Sequence, residues 1–412
     1  MSTFEVVEIC AGAGGQALGL EKAGFEHALA VELDGNASAT LKANRPAWKI
    51  ATGDVADGEV WRPADYQGVS LLAGGVPCPP FSIAGKQLGA NDERDLFAWA
   101  VEQVAVVQPR ALLLENVRGL SMPRFAGYRQ HVLDQLAQFG YVGEWRLLQA
   151  SDYGVPQLRP RFILVALKPE DAPYFFWPEP QGEPMTVGEA LLDRMQQNGW
   201  EHAAGWASKA NKIAPTIVGG SKKHGGADLG PTRAKRAWAE LSVDAMGVAD
   251  AAPPSGTPAD FAPKLTCEMV ARIQGWSEDY AWEFTGRKTS RYRQIGNAFP
   301  PPVAHAVGAS IIRAFAHEGT PREVESTEHD SVYKVLRQAD EFLNSERLLR
   351  ASGLRDAAEL ERQISLLQRD FEVEVRSDGS KTAYRLGKFR AFVGQEDHER
   401  HDLFLKHRAR IS

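Results

Sequence analysis

The beginning of the chain restricts the fold most, because an apolar run, a glycine-rich turn and a helical pattern follow one another directly. Phe4 to Cys10 is predicted to be a strand, Ala11 to Gly15 a tight turn, and Gln16 to Ala23 a helix. These three parts open Rossmann-like α/β units, in which the backbone approaches a ligand closely. The glycine spacing is not G-x-G-x-x-G and no Walker-type lysine follows, which argues against pyrophosphate and nucleoside triphosphate ligands.

A carboxylate follows each of the next two predicted strands. Glu32 comes after the strand His27 to Val31, and Asp54 comes shortly after the strand Trp48 to Ala51. An acidic residue at the end of the second strand is suited to accept hydrogen bonds from ribose hydroxyls. Together with the glycine-rich turn, the two acids indicate an adenosine-containing ligand without phosphates. The alternative is a structural turn with two unrelated surface acids.

A cysteine follows the fourth predicted strand, Val69 to Ala73. Cys78 lies in a proline-rich loop, which is stiff because proline fixes φ. Reactive groups in open α/β sheets collect beyond the carboxyl ends of strands, and a thiolate is a nucleophile. Most free cysteines are nevertheless small buried residues, and this stretch alone is compatible with both interpretations. The polar loop from Ser82 to Arg94 is predicted to be a mobile lid.

The next predicted strand, Ala111 to Leu114, ends in Glu115 and Asn116. Both side chains are expected to face Cys78 across neighbouring loops. A nucleophile beside a carboxylate that handles protons is what covalent chemistry on a heterocycle needs. The alternative is a carboxylate that caps the following turn.

Two arginines precede the predicted strand Phe162 to Leu167. Arg159 and Arg161 flank Pro160, so that their guanidinium groups are rigidly presented. Such donors suit a phosphate or a pyrimidine carbonyl. A solvated basic loop is the alternative interpretation.

Composition places the chain among ordinary globular proteins. Its 412 residues are 43% hydrophobic and 24% charged with a net charge of -6, which allows two or three domains and requires any basic surface to be local. The three cysteines, Cys10, Cys78 and Cys267, have no metal-ligand or disulfide spacing, which indicates a reducing compartment. No apolar run of about 18 residues and no charged-then-apolar leader is seen, so a cytoplasmic protein is expected.

Taken together, these segments resemble the DNA (cytosine-5) methyltransferases of bacterial restriction–modification type. The matching motifs, in chain order, are Ala11-Gly12-Ala13-Gly14-Gly15, Gly75-Val76-Pro77-Cys78 followed by Phe81-Ser82, Glu115-Asn116-Val117, Gln157-x-Arg159-x-Arg161, and Arg293 to Pro301. The resemblance spans residues 5 to about 315, and five motifs in order are specific where one alone is not. One departure is Cys10, where the family usually has phenylalanine.

The resemblance implies a Rossmann-like α/β sheet of the S-adenosylmethionine-dependent methyltransferases, with a smaller inserted target recognition domain and a C-terminal α+β extension. It implies that Cys78 adds to C6 of a cytosine while Glu115, aided by Asn116, protonates N3. Arg161 would steady the cytosine, with Arg159 in support. Because C5 is unreachable inside a duplex, the base must be flipped out.

The resemblance also implies the methyl donor, S-adenosyl-L-methionine, and its product, S-adenosyl-L-homocysteine. The residues that would contact this cofactor are Cys10, Ala11, Gly12, Ala13, Gly14, Gly15, Glu32, Asp54, Val55, Gly75, Pro77, Leu96, Asn297 and Ala298.

The expected domains are a catalytic part (1–184), a target recognition domain (185–285), a returning catalytic part (286–317) and an extension (318–412). Lysine and arginine dominate 206–240, including a glycine-rich basic loop, which favours contact with phosphates, although a charged solvated surface is the alternative. Residues expected to contact DNA are Ser82, Lys86, Gln87, Lys222, Lys223 and Arg233. The expected partner is double-stranded DNA, bound by a monomer without a membrane, with possible pairing to a restriction endonuclease.

The extension carries no recognised motif. Helices over Ser331 to Ser345 and Leu354 to Gln368 are predicted, followed by a hairpin of Phe371 to Val375 and Thr382 to Leu386. Either an accessory domain for DNA or self-association, or an inert appendage, fits this pattern. Two alternatives to the whole interpretation are a tRNA cytosine-5 methyltransferase of the same fold and a catalytically silent DNA-binding regulator.

Overall fold

The computed structural model describes residues 3–76, 96–219, 227–324, 328–378 and 381–389. The first elements are β1 (Phe4–Ile9), α1 (Gly15–Ala23), β2 (Phe25–Glu32), α2 (Gly35–Asn44), β3 (Ile50–Thr52), β4 (Leu71–Gly74), α3 (Leu96–Val107), β5 (Ala111–Val117), α4 (Ala126–Gln138), β6 (Val142–Gln149) and β7 (Pro160–Leu167). The middle elements are α5 (Val187–Gln196), α6 (Ala203–Lys209), α7 (Thr232–Glu240), α8 (Cys267–Ile273), α9 (Lys288–Asn297) and α10 (Pro301–Phe315). The last are α11 (Ser331–Ala339), β8 (Leu343–Asn344), α12 (Ser345–Ala351), α13 (Ala357–Leu367), β9 (Phe371–Asp378) and β10 (Lys381–Phe389).

The large sheet has seven strands in the order β3-β2-β1-β4-β5-β7-β6. The first five pair in parallel, whereas β7 runs antiparallel to both β5 and β6. The carboxyl ends of β1 to β5 therefore meet at one edge, which in open α/β sheets is the ligand edge. This topology confirms the predicted Rossmann-like α/β class.

Helices cover both faces of this sheet because successive strand residues point to opposite sides. On β5, Leu112 and Leu114 belong to a core with α3 and α4, whereas Leu113 belongs to a core with α1 and α10. Helix α10 lies directly on α1, since a Cβ added at Gly19 would stand 2.5 Å from Cβ of Ala304. Burial on both faces explains why the strands are apolar runs rather than alternating patterns.

Residues 187–295 build a second hydrophobic cluster from α5 to α9 and the loops between them, which Leu18 of α1 joins. Its largest members are Trp200, Trp206 and Trp238, each at most 2% exposed. Two helices here begin at capping boxes, at Thr186 and Thr266. The predicted end of the strand–helix alternation in this region agrees with the structure of the described residues.

Two predicted boundaries are wrong. The sequence also predicts a helix near His131 to Phe139, whereas α4 begins at Ala126, and its Arg129 donates to the carbonyl of Leu120 at 2.8 Å. The single helix predicted from Ser331 to Ser345 ends at Ala339, because Asp340 adopts a left-handed conformation with φ of 49°. Both differences arise from contacts distant in the chain or from backbone strain, which local periodicity does not report.

Among the described residues, no helix combines the length and apolar character needed to cross a membrane.

Candidate functional site at the carboxyl edge of the sheet

The glycine-rich turn leaves β1 in left-handed backbone conformations. Cys10, Gly12 and Gly14 have φ of 52°, 57° and 93°. Glycine adopts such angles without steric cost, whereas at Cys10 they strain the backbone. The turn is thereby directed toward β2, where the amide of Gly12 donates to Oε2 of Glu32 at 2.7 Å.

Glu32 is held by backbone amides on both oxygens, because Oε1 accepts from the amide of Asp34 at 2.7 Å. Burial raises the pKa of Glu32 despite these hydrogen bonds. Burial, followed by the nearby carboxylates of Glu32 and Asp54, raises the pKa of the Cys10 thiol. Cys10, Glu32 and Asp54 are therefore close enough to interact electrostatically, as their positions at three strand ends predict.

Gly14 and Gly15 of the turn allow close packing with later parts of the chain. A Cβ added at Gly15 would overlap the carbonyl oxygen of Phe299 and stand 3.0 Å from Cβ of Ala298. One added at Gly14 would stand 2.5 Å from the indole of Trp282, whose Nε1 donates to the carbonyl of Ala13 at 3.1 Å. The Ala298 motif thus meets the Gly-rich turn from the far end of the sequence.

The acid–guanidinium pair Glu115 and Arg161 lies at the same edge. Strand pairing sets Val117 opposite Arg161 across the antiparallel β5 and β7. Nε of Arg161 stands 2.6 Å from Oε1 of Glu115, but it lies out of line for a hydrogen bond. Burial raises the pKa of Glu115, and the positive charges of Arg161 and Arg159 oppose this. A carboxyl with a raised pKa retains its proton closer to neutral pH and can act as a proton donor.

Two buried amides near this pair have polar atoms without a hydrogen-bond partner. Among the described residues, these atoms are Nδ2 of Asn116 and both Nε2 and Oε1 of Gln16. Gly75, directly after β4, lies between Glu115 and Gln16, since a Cβ added there would stand 3.5 Å from Oε2 of Glu115 and 3.8 Å from Oε1 of Gln16. Unpaired buried amides are costly, and they are expected where a ligand supplies the partner. Sequence reasoning missed Gln16, although a polar residue in the first turn after the glycines is a usable signal.

Arg159 joins two distant segments, around Ile217 and from Gly296 to Ala298, to the start of β7. Its guanidinium donates to the carbonyls of Ile217, Gly296 and Ala298 at 2.8, 2.7 and 3.1 Å. Burial lowers its pKa well below the usual value, with Arg161 adding to the effect. The side chain is 2% exposed, so these contacts fit a positioning residue that links the catalytic sheet to the middle of the chain.

Gln157 reinforces the same junction. Its Nε2 donates to Oε1 of Gln274 at 2.7 Å, and Gln274 donates to the carbonyl of Ala298 at 2.7 Å. The amide of Ile217 donates to Oε1 of Gln157 at 2.8 Å. Both glutamines are fully buried. Sequence reasoning used Gln157 only as a motif letter, because a network between positions more than a hundred residues apart leaves no local signal.

The other predicted site residues are more scattered. Val55 is buried and its carbonyl accepts from Nε1 of Trp61 at 2.6 Å, Leu96 begins α3, and Asn297 ends α9. Arg233 is exposed on α7. Outside the described residues lie Pro77, Cys78, Ser82, Lys86, Gln87, Lys222 and Lys223, together with the predicted lid from Ser82 to Arg94.

The fold and this edge define a Rossmann-like α/β class in which a glycine-rich turn lies at the same sheet edge as a buried acid and guanidinium. The family model described as C-5 cytosine-specific DNA methylase matches residues 4–313. The chain therefore belongs to the C-5 cytosine-specific DNA methylases, which confirms the resemblance and the activity class that it predicted. The family implies a methyl donor of the S-adenosylmethionine type.

Individual relatives agree with this assignment. The chain is 66% identical over 414 residues, covering 100% of both chains, to type II methyltransferase M.NaeI of Lentzea aerocolonigenes. It is 51% identical to type II methyltransferase M.NgoMIV of Neisseria gonorrhoeae over 76% of this chain and 99% of the relative. A crystal structure of a Spodoptera frugiperda DNMT2 mutant superposes with a TM-score of 0.51 at 17% identity, covering 76% of this chain and 100% of that one, and reports on the fold alone.

Proposed function

We propose that the protein methylates C5 of a cytosine within a specific sequence of double-stranded DNA. The observation that carries this proposal is the buried Glu115 beside Arg161 at the strand edge next to Gly75. A protonated carboxyl there can donate to N3 of cytosine, which makes C6 electrophilic enough for a thiolate to add. Cys78, three residues beyond Gly75, is the proposed nucleophile.

The proposed reaction proceeds in successive steps on the cytosine ring. The Cys78 sulfur forms a bond to C6 while the Glu115 proton moves to N3, and the ring becomes an enamine that is nucleophilic at C5. After C5 is methylated, loss of its proton and of the thiolate restores the aromatic ring, and N3 returns its proton to Glu115. Arg161 keeps the carboxyl group and the base in register, and Asn116 is proposed to hold the base edge.

The residues of the glycine-rich turn fit S-adenosyl-L-methionine, which supplies an electrophilic methyl group when bound and leaves as S-adenosyl-L-homocysteine. Glu32 would hold the ribose hydroxyls. The side-chain amide of Gln16, in the first turn after the glycines, has both polar atoms unpaired. Close packing of Gly15 against Phe299 and Ala298 supports a pocket completed by the returning chain. The other cofactor contacts predicted from the sequence belong to this proposal.

Residues 185–285 are proposed as the target recognition domain, inserted between the catalytic parts 1–184 and 286–317. The hydrophobic cluster of this region and its exposed Arg233 support a unit that faces DNA. Lys222 and Lys223 would add phosphate contacts, and Ser82, Lys86 and Gln87 would close over a flipped cytosine. A monomer that acts in the cytoplasm and protects DNA from a cognate restriction endonuclease is the proposed setting.

Bisulfite sequencing of mixed-sequence duplex DNA, incubated with the protein and S-adenosyl-L-methionine, tests the proposal. Protected cytosines in one recurring context are expected. The Cys78→Ser variant should lose protection while it still binds the duplex, because an alcohol is a far weaker nucleophile than a thiolate. Protection by that variant would contradict the nucleophile. Methyl groups transferred to tRNA but not to DNA would favour the tRNA enzyme. Binding of DNA without transfer to either nucleic acid would favour the silent regulator.

A further inference from the structure

The C-terminal elements form a small module with its own core, lying beyond the residues that match the family. Its order is helix, short strand, helix, helix and a two-stranded hairpin, from α11 to β10. Strand β8 pairs antiparallel with β10, and β10 pairs antiparallel with β9. Buried residues of every one of these elements share one cluster, including Tyr333, Leu348, Ile364 and Tyr384.

This order and pairing is that of a helix-turn-helix followed by a wing, the arrangement of winged DNA-binding modules. Helices α12 and α13 are joined by a five-residue turn in which Gly353 adopts φ of 67°. Helix α13 begins at Asp356, whose side chain accepts from the amide of Glu359 at 2.9 Å. In such modules the second helix enters the major groove.

The two faces of α13 differ sharply. Leu360, Ile364 and Leu367 are at most 4% exposed and pack in the core of the module. Arg362 lies on the opposite side of α13 with its side chain 68% exposed, and Arg355, two residues before the helix, is 90% exposed. Ala358 and Ser365 are also exposed on that side, Glu361 is exposed next to Arg362, and Arg369 is exposed just after the helix. A face of small residues between arginines suits a groove, because it permits close approach and offers donors to phosphates and guanine edges.

The charges of the exposed face are only loosely neutralised. Glu359 stands 3.8 Å from Nε of Arg355 and 4.0 Å from Nη2 of Arg362, distances too long for strong hydrogen bonds. Residues 328–389 as a whole carry eleven lysines and arginines against twelve acids, so net charge does not indicate DNA. The position of the arginines on the outward face of the second helix does.

The module is held on the catalytic sheet by its other side. A Cβ added at Gly127 of α4 would stand 2.6 Å from Leu367, and Nδ1 of His131 lies 3.3 Å from the hydroxyl of Tyr333. Arg124 pairs with Asp370 at 3.4 Å. Among the described residues, the contacts use α11, the end of α13, the start of β9 and Phe389 at the end of β10, and not the outward face of α13.

We propose that the module 328–389 is a second duplex-DNA-binding unit, in which α13 enters the major groove with Arg355 and Arg362. It binds DNA outside the stretch held by the catalytic sheet and residues 185–285. We expect methyl transfer itself not to require it, since among the described residues this module contributes none to the carboxyl edge of the large sheet.

The test compares the full chain with two double variants that each remove two positive charges from the module. Arg355→Ala with Arg362→Ala alters the outward face, whereas Lys334→Ala with Arg337→Ala alters α11 on the docking side. Binding to a fluorescein-labelled mixed-sequence duplex of about 40 base pairs, roughly four helical turns, is followed by anisotropy from roughly 50 to 200 mM salt.

The outward-face variant is expected to bind about ten-fold more weakly, with a salt slope shallower by about 2, while the docking-side variant matches the wild type. Hydroxyl-radical footprints should show the loss of one protected segment, and methylation rates on saturating short duplexes should not change. Equal slopes and footprints for all three proteins would overturn the proposal. An equal loss in both variants would also overturn it, since that is the result of general charge removal.

Discussion

Strands β5 and β7 carry an acid–guanidinium pair at each end, and the two pairs differ in how fully they are satisfied. At the start of β5, Nε and Nη2 of Arg110 donate to the two oxygens of Asp171 at 2.6 Å each. At the carboxyl end, Glu115 has Arg161 at 2.6 Å but out of line, next to Asn116 with an unpaired Nδ2. A carboxylate and a guanidinium that form in-line hydrogen bonds with each other thus stabilise the fold. Where the geometry prevents these hydrogen bonds, the same groups remain available for a substrate.

The Arg110 pair also fixes the returning helix. Nη2 of Arg110 donates to the carbonyl of Phe315 at the end of α10 at 2.8 Å, and Nε2 of His317 lies 2.9 Å from Asp171. The guanidinium stacks on the ring of Phe315 at 4.2 Å. At the end of the sheet away from the candidate site, these contacts therefore fix the end of α10 to the start of β5.

The largest expected effect is on chemistry, from Glu115→Gln. The amide cannot transfer a proton to N3, so methyl transfer from labelled cofactor to duplex DNA should fall by about 10²–10⁴-fold. Thermal unfolding should change little, because Gln retains the shape and the burial of the side chain. Asp171→Asn is the matched acid-to-amide control at the opposite end. Equal losses of transfer per folded molecule in both variants would remove the distinction between the two ends.

The next effect is on stability, from the same Asp171→Asn variant. It leaves Arg110 without its buried carboxylate, and since Arg110 is about one-third exposed the loss should be about 2 kcal/mol, below the usual range for buried pairs. The midpoint of thermal unfolding should fall by about 4–8 °C. An unchanged midpoint would show that this pair is not the structural one.

The pH dependence of transfer should distinguish the two acids further. Because the pKa of Glu115 is raised above its unfolded value, the folded state keeps the proton as pH increases through that window. The contribution of this proton to stability is present below the unfolded pKa and is lost as pH rises through the folded pKa. The rate of methyl transfer should decline as the pH rises through the same range. This decline should be missing from the residual activity of the Glu115→Gln variant and present in the activity of the Asp171→Asn variant.

The smallest effect is expected at an exposed pair of similar geometry. Asp193 accepts from Nη1 of Arg272 at 2.7 Å, but the Asp193 side chain is 58% exposed. Asp193→Asn should therefore cost less than about 1 kcal/mol in unfolding experiments. A loss as large as that of Asp171→Asn would show that burial does not set the ranking of these pairs.

Much of the sheet follows from local pattern. The apolar runs of β1, β2, β4 and β5 and the glycine-rich turn are local signals, and the polar residues after each run mark the ligand edge. The pairing of Val117 with Arg161 was not predictable, because antiparallel insertion of β7 beside β5 depends on long-range packing. For this reason Arg161 meets Glu115, whereas Arg159, two residues earlier, is turned to Ile217 and Gly296.

The C-terminal module shows the same limit. Both helical stretches and the hairpin were predicted near their observed positions, yet the first stretch divides at Asp340 into a helix and a strand. Leu343 pairs with Tyr384 of β10, forty residues later. This long-range pairing gives the C-terminal module the strand arrangement of a winged helix-turn-helix. Local periodicity carries no signal for it.

By itself, the sequence determined the family, the Rossmann-like class and the kinds of residue at the strand ends, because motif order and apolar periodicity are properties of the chain alone. Only the tertiary structure decided which buried polar groups are satisfied. Glu115 and Gln16 lie near Gly75, and Asn116 keeps an unpaired Nδ2, while Arg159 and Gln157 form hydrogen bonds that hold distant segments together. Hydrogen-bond satisfaction depends on atoms that only folding brings within reach, and it separates the candidate reactive edge from the scaffold.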